Sequence, residues 1–425
     1  MRAEGRQPLP RRVLVIGLGR SGRAAALALA RRGVEAVAVD RALDIDPGRL
    51  ADDGVEIHLG TEEETLLEGI ELVVKSPGVR GEAPLVAGAR RRAVPVWSEV
   101  ELGFRLLETR IVGVTGTNGK TTTTELLGAV FRAAGRSVEV AGNVGRPLTA
   151  LAEGGPLSAA TWVVCEVSSF QLEDVDRFRP SVGVLLNLEP DHLDRHGTLA
   201  AYREAKLRLF ANQEPGDTAV VPRAFGPVPG AGRRVEFDAG DPLPAEPLLP
   251  GLHNRENAAA ATAAARAAGI DDAAIAEALR CFAGVPHRLE LVAEIGGVRY
   301  VNDSKATNTG AARRAVAAFD APLRIILGGS RKGEPFHTLV ETLRGRAVGV
   351  YLIGESAPEL AAALDAAGIS YTWSRELEPA VRAAAAEARA GEIVLLSPAC
   401  ASYDQFGNFE ERGEAFRHFV EELAR

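Results

Sequence analysis

Cysteine is scarce, basic charge is not in excess, and no apolar run is long. Three cysteines (Cys165, Cys281 and Cys400) in 425 residues make no disulfide framework, which points to a reducing compartment. A formal net charge of -8 leaves no broad basic face to neutralise nucleic-acid phosphates, so no nucleic-acid partner is expected. No stretch approaches the ~18 apolar residues that a membrane helix needs. The opening MRAEGRQPLPRR has charge but no apolar core behind it, unlike a secretory signal. The expectation is a cytoplasmic protein without a membrane partner. Internal repeats are also missing.

What is present is a globular balance, 46% hydrophobic and 25% charged. Short β-branched runs alternate with Ala/Leu-rich helical stretches, the pattern of an α/β chain with mostly parallel sheets. Three segments separate: 1–98, 99–286 and 287–425. The first carries strands at Val13–Ile16, Ala36–Val39, Leu72–Val74 and near Val94–Val96; the second at Ile111–Val114, Trp162–Val167 and Val182–Leu186. Strands of the third fall at Val298–Val301, Leu323–Leu327, Val348–Ile353 and Ile393–Leu396. The Pro/Gly-rich stretch Phe225–Gly251 reads as an irregular excursion. Ligands of open α/β sheets bind at the carboxyl ends of strands, so three sheets offer three sets of loops.

The firmest chemical feature is Gly116-Thr117-Asn118-Gly119-Lys120-Thr121-Thr122, between a strand and a helix. Backbone N–H groups and the helix dipole there face a triphosphate, Lys120 neutralises terminal phosphates, and the Thr121 hydroxyl reaches Mg²⁺. The strict G-x-x-x-x-G-K-[ST] spacing is not met, because Val114 stands where its first glycine belongs. Gly17-Leu18-Gly19-Arg20-Ser21-Gly22, with Asp40 ending the next strand, matches a dinucleotide fingerprint. It equally suits another nucleotide, or a plain tight βα turn.

Glu166 follows an apolar strand, and His192 lies in the loop after the next one, so both can face Thr121 as ligands of a divalent cation. Helical spacing groups Tyr202, Ala205, Lys206, Leu209 and Phe210, which puts Lys206 in the middle of an apolar face. Burial there disfavours the ammonium form. A neutral amine can bind phosphate or be carbamylated to a carboxylate ligand; the plain alternative is a lysine snorkelling off the face. In the third segment, Asn302–Asn308, Gly328–Gly333 and Ser397–Phe406 offer acids, cations and hydroxyls suited to a small carboxylate-bearing ligand. Cys400 lacks a nearby histidine and reads as a packed bystander.

Taken together, GLGRSG, SPG, TGTNGKTT, GNVG, CEVSSFQLE, LNLEPDHLDRHG, YREAKLRLF, HNRENAAAA, HRLE, NDSKATNTGA, LGGSRKG and SPACASYDQFGNFEERG span the chain. This set resembles the Mur ligases, which add amino acids to peptidoglycan precursors, and within them the D-glutamate-adding branch. The resemblance implies three α/β domains, Rossmann-like at both ends around a central ATPase-type sheet. It implies ATP and Mg²⁺ as cofactors, UDP-N-acetylmuramoyl-L-alanine and D-glutamate as substrates, and a monomer.

By motif, Arg20, Ser21, Asp40 and Arg41 would hold the uridine end, with Ser76 nearby and Asn143 on the muramoyl part. Gly116–Thr122, Asn254, Asn257, Arg288 and Asp303 would hold ATP. Thr121, Glu166, His192 and a carbamylated Lys206 would hold the cation. Lys305, Thr307, Lys332, Ser402 and Phe409 would receive D-glutamate. Catalysis would rest on Lys120, Lys206 and Lys305, with His192 a candidate base. The rivals are a nicotinamide-dependent oxidoreductase, a nucleotide switch, and a sister ligase for another amino acid. The first leaves the phosphate loop, Glu166, His192 and Lys206 without a role; the second has no need of the third segment's polar loops. No D-N-P-R motif of the diamino-acid-adding enzymes occurs.

Overall fold

The computed structural model describes residues 9–107, 109–155, 157–249, 251–331 and 335–424. They fall into two compact units, divided after Phe282, with residues 249–251 belonging to the second.

The first unit holds two sheets. In one, β1 (Arg12–Ile16), β2 (Glu35–Asp40), β3 (Glu56–Leu59), β4 (Leu72–Lys75) and β5 (Val96–Ser98) run parallel in the order β3-β2-β1-β4-β5. Its central strands are apolar on both faces because α1 (Arg20–Ala30), α2 (Pro84–Arg91) and α3 (Glu99–Leu106) pack around them. Alanine-rich α1 sits close on the sheet: a Cβ at Gly22 would lie 1.8 Å from the Gly17 carbonyl oxygen. Only glycine fits there.

The other sheet has the order β11-β10-β9-β6-β8-β7, again all parallel. Its strands are β6 (Arg110–Thr115), β7 (Val138–Gly142), β8 (Trp162–Glu166), β9 (Val182–Leu185), β10 (Thr218–Pro222) and β11 (Arg233–Phe237). The helices are α4 (Lys120–Ala133), α5 (Ser169–Leu172), α6 (Leu193–His196), α7 (Leu199–Leu207), α8 (Leu252–Ala267) and α9 (Asp272–Cys281). Strand β11 corrects the reading of Phe225–Gly251 as wholly irregular. It is an edge strand of only five residues with charged Arg233, Arg234 and Glu236, so it carries little apolar signal. The two sheets are tied by Glu101, a buried carboxylate that accepts N–H bonds from Asp176 (3.0 Å), Arg177 (3.0 Å) and Phe178 (2.8 Å).

The second unit has the order β12-β13-β17-β14-β15-β16, from β12 (Glu290–Ile295), β13 (Val298–Asn302), β14 (Leu323–Gly328), β15 (Ala347–Ile353), β16 (Thr372–Arg375) and β17 (Ile393–Leu396). Only β12 and β13 pair antiparallel, as a hairpin turned by Gly296 and Gly297, both at positive φ. The sheet is therefore mixed. Helices α10 (Thr309–Ala317), α11 (His337–Leu343), α12 (Ala357–Ala367), α13 (Leu377–Glu387) and α14 (Phe409–Leu423) complete the unit. Edge strand β16 slips register where Ile353 pairs with Arg375, leaving Ser374 unmatched and Arg375 at φ +66. No helix among the described residues is long and apolar enough to cross a membrane.

Candidate active site

Strand β6 ends at Thr115 and α4 starts at Lys120, so residues 116–119 form the turn. Gly119 sits at φ +81, and a Cβ there would stand 2.2 Å from Asn257 Oδ1 on α8. Both facts demand glycine. The neighbouring loop pins the turn: Thr117 N–H donates to Asn187 O (3.1 Å), Asn118 N–H to Asn187 Oδ1 (2.8 Å) and Asn118 Nδ2 to Glu189 Oε2 (2.9 Å).

Two lysines converge on one carbonyl. Lys120 Nζ donates to Gly116 O (2.9 Å) and Thr117 O (3.0 Å), and Lys206 Nζ to the same Gly116 O (2.8 Å). Lys206 is 1% exposed, as are its facial neighbours Tyr202, Ala205, Leu209 and Phe210 nearly so. Burial pushes its amine down to about 6, with Lys120 adding to the effect and Asp191 and Glu166 opposing it. Buried and bonded to Gly116 O, the side chain does not snorkel off the helix face.

Glu166 closes β8, buried. Its Oε1 accepts from Asn143 Nδ2 (3.0 Å), and its Oε2 has no hydrogen-bond partner. An ionised carboxylate oxygen left unpaired in the interior is costly, so a cation suits this position. Among the described residues no group of three or more His, Cys, Asp or Glu stands ready to hold a metal. Mg²⁺ does not need one, since it takes one or two carboxylates with waters and substrate phosphates. Thr121 lies on the first turn of α4. His192 is half exposed, at φ +51, its N–H on Asp191 Oδ1 (2.9 Å) and its ring 4.7 Å from that of Phe170. Asn254 and Asn257 are buried in the first two turns of α8.

In the same unit a cavity of about 660 Å³ opens at the carboxyl ends of the first sheet. Arg20, Ser21, Asp40, Arg41, Ser76 and Asn143 all line it. Asp40 braces the glycine turn, accepting from Leu18 N–H (2.7 Å) and Ala42 N–H (3.0 Å). Ser76 donates to Gly17 O (2.7 Å). Asn143 thus joins the cavity wall to Glu166.

The second unit gathers its loops around one side chain. Arg412 of α14, 1% exposed, donates to Ser304 Oγ (2.9 Å), Ser304 O (2.8 Å), Ala401 O (3.1 Å) and Cys400 O (3.1 Å). Ser304 in turn donates to Phe409 O (2.8 Å), and Ser330 N–H to Ala401 O (2.9 Å). Lys305 lies 5.6 Å from the Phe409 ring centroid. Thr307 N–H donates to Lys305 O (2.9 Å), and Ser402 is buried beside Ala401. Asp303 is buried, accepting from Ser397 Oγ (2.7 Å) and Leu289 N–H (3.2 Å). Burial raises its carboxyl to about 6, against the Ser397 bond and the charge of Arg288. His287 and Leu289, either side of Arg288, both have positive φ, strain of the kind that collects at functional sites. Cys400 is buried against Ser356 Oγ (3.1 Å). Lys332 lies outside the described residues.

Comparison with known proteins draws these features together. Three family models match: Mur ligase MurD-like, N-terminal domain, at 11–98; Mur ligase middle domain at 114–225; and Mur ligase, glutamate ligase domain, at 287–400. A UDP-N-acetylmuramoylalanine--D-glutamate ligase of Pelotomaculum thermopropionicum is 44% identical over 98% of both chains. One from Acidobacterium capsulatum is 40% identical over 96% of both. The chain belongs to the Mur ligase family.

Solved members share the fold. The MurF ligase of Thermotoga maritima, in complex with ADP, aligns at a TM-score of 0.61 and 19% identity over 94% of this chain and 99% of that one. The UDP-N-acetylmuramate-alanine ligase MurC of the same organism aligns at 0.59 and 20% identity, over 97% and 99%. Within this Mur ligase, the turn at 116–119 joins a strand to a helix and Lys206 is buried, both as expected, and the six residues expected at the UDP-sugar line one cavity. Sequence reasoning missed Arg412, which binds two loops, and Lys75, fully buried at the end of β4. Spacing could have found Arg412: Phe409, Arg412, Phe416 and Val420 recur on one helical face, the test that singled out Lys206. Nothing local marks Lys75, whose partners lie almost a hundred residues on.

Proposed function

We propose that this chain is the ATP-dependent ligase that joins the terminal carboxylate of UDP-N-acetylmuramoyl-L-alanine to the amine of D-glutamate, in peptidoglycan precursor synthesis. The observation that carries the reading is the phosphate loop. There a buried lysine and a buried, half-unpaired carboxylate meet a glycine turn, in a chain alike end to end to D-glutamate ligases.

A carboxylate acylates poorly because its leaving group would be oxide. Transfer of the γ-phosphoryl group of ATP gives an acyl phosphate and ADP, and the amine then displaces phosphate. In this reading Lys120 and the N–H groups of residues 116–122 hold the phosphates, and Asn254, Asn257, Arg288 and Asp303 hold the nucleoside. Arg20, Ser21, Asp40, Arg41, Ser76 and Asn143 seat the UDP-sugar. Lys305, Thr307, Lys332, Ser402 and Phe409 receive D-glutamate, and Lys305 steadies the negative charge on the acyl oxygen. Thr121, Glu166, His192 and Lys206, the last as its carbamate, would hold Mg²⁺, which when bound supplies neutralising charge to the transferring phosphoryl group. A monomeric enzyme belongs to this reading through the family resemblance alone.

The test is phosphate release from Mg²⁺–ATP with UDP-N-acetylmuramoyl-L-alanine and a panel of amino acids. D-glutamate should be the amine accepted. Release with L-alanine or a diamino acid in its place would refute the substrate assignment, and NAD reduction without ATP use would refute the class.

A further inference from the structure

Beside the cavity and the phosphate loop runs a buried ionic chain to which the reaction just described gives no part. Lys75, the last residue of β4, lies 3.1 Å from Glu173 Oε2 and 2.6 Å from Asp174 Oδ2, the latter a charge contact not aligned as a hydrogen bond. Glu173 also accepts from Arg195 at Nη2 (2.8 Å) and Nε (3.3 Å). Burial works against ionisation of Glu173, yet Arg195 and Lys75 hold its carboxyl below the usual carboxylate range.

The rest of the Arg195 fork goes elsewhere. Nη1 donates to Pro77 O (2.8 Å) and Nη2 to Val79 O (3.1 Å), both backbone groups of the loop that walls the cavity. The guanidinium lies 4.0 Å over the Phe170 ring, which also meets the rings of His192 (4.7 Å) and His196 (5.5 Å). The arginine side chain is 9% exposed.

We propose that Arg195 is a positioning residue that couples the substrate cavity to the phosphoryl-transfer loop. A staple between the two sheets would need only the Lys75–Asp174 pair and the Glu101 carboxylate. Arg195 does something different. It fixes two carbonyls of the 76–79 loop against the loop of residues 187–197, which carries Asp191 and His192 and pins the phosphate turn through Asn187. A shift of the cavity wall when the UDP-sugar seats is thereby passed to His192. Only a planar fork spans a carboxylate and two carbonyls while stacking on a ring; a lysine keeps the charge and loses that span.

The inference rests on the ligase reading, and kinetics on the full-length chain separates the two. Arg195→Ala and Arg195→Lys are compared with wild type for kcat, for KM of each substrate, and for thermal midpoint. Arg195→Ala should lower kcat at least about tenfold, since small misplacements near reacting groups cost up to about a hundredfold. Its KM for UDP-N-acetylmuramoyl-L-alanine should rise about fivefold while that for D-glutamate stays within about twofold. Arg195→Lys, which keeps the Glu173 pair, should fold like wild type and still show the same split, and it decides the matter if the alanine variant does not fold. Constants within about twofold of wild type in a folded variant overturn the coupling. So does a fall in kcat that follows the loss of folded protein with the KM for the UDP-sugar unmoved. Wild-type protein that releases no phosphate with D-glutamate overturns the ligase reading itself, and the coupling with it.

Discussion

The loops at the phosphate turn and the loops around Arg412 handle buried polarity in opposite ways. Near the turn, Thr115 Oγ1, Thr123 Oγ1, Thr124 Oγ1 and Glu166 Oε2 are buried without partners. In the second unit, Ser374 Oγ is the one such side-chain atom among the described residues, on edge strand β16 beside Arg375, whose carbonyl accepts from Gln405 Nε2 (2.7 Å). There Arg412, Ser304, Asp303, Ser397, Ser330 and Asp404 satisfy one another. Unpaired polar groups cost stability, so keeping them at the turn makes sense where a charged ligand completes them. The second unit instead spends its hydrogen bonds on holding loops in place, ready for a ligand to meet.

Substitutions at three positions probe that contrast. The largest effect is expected from Lys206→Ala, which should cut phosphate release by about 10²–10³-fold, the scale of losing one preorganised charge-stabilising group. Short carboxylates added to that variant should restore part of the rate; full activity without them would rule out an essential carbamate. The same amine should weaken the fold. Its folded pKa of about 6 lies below the ordinary 10.5, so the unfolded chain binds more protons between those values and stability rises with pH across that window. In CO₂-free buffer Lys206→Met should therefore melt above wild type at pH 7, with the advantage shrinking toward pH 10.

Arg412→Met comes next. It removes four hydrogen bonds, leaving Ala401 O only Ser330 N–H, and should cost about 2–4 kcal/mol in denaturant unfolding. Its KM should rise for D-glutamate and not for the UDP-sugar. An equal rise for both would show that Arg412 does not act through its own loops.

The smallest effect is expected from Asp303→Asn. The carboxyl, raised from 3.8 to about 6, binds more protons folded than unfolded, so its contribution to stability falls as pH rises through that window. Asparagine keeps an oxygen for Leu289 N–H, turns its amide nitrogen as donor to the Ser397 hydroxyl, and carries no charge. At pH 8 the variant should be more stable than wild type, on the order of 1 kcal/mol, and the gain should vanish near pH 3. Its KM for ATP should rise, since the charge that costs stability is the one assigned to the nucleoside.

Much of this was legible in the sequence where the signal is local. Central parallel strands are apolar on both faces, and the run read as Val13–Ile16 is found as Arg12–Ile16, that at Leu323–Leu327 as Leu323–Gly328. Edge strands β3, β7, β11, β12 and β16 escaped, most of them half exposed with charges that break the apolar run, and so did the internal but short β10. Lys206 was found because a cation inside a helical apolar stripe is anomalous within one turn. The Lys75–Glu173–Arg195 chain escaped because each member is an ordinary charged residue until tertiary structure brings it beside the others.

Those inconspicuous edges have a consequence for how molecules of this protein meet. An open sheet edge is a template for strand addition by another copy. Edge strand β11 places Arg233, Arg234 and Glu236 along its short length, and β16 breaks its own ladder at Ser374, with Arg375 turned into the left-handed region. An incoming strand would meet charged side chains at the first and a kink after three residues at the second. Strand addition is thus disfavoured at these two edges, the second of which carries the exposed Trp373.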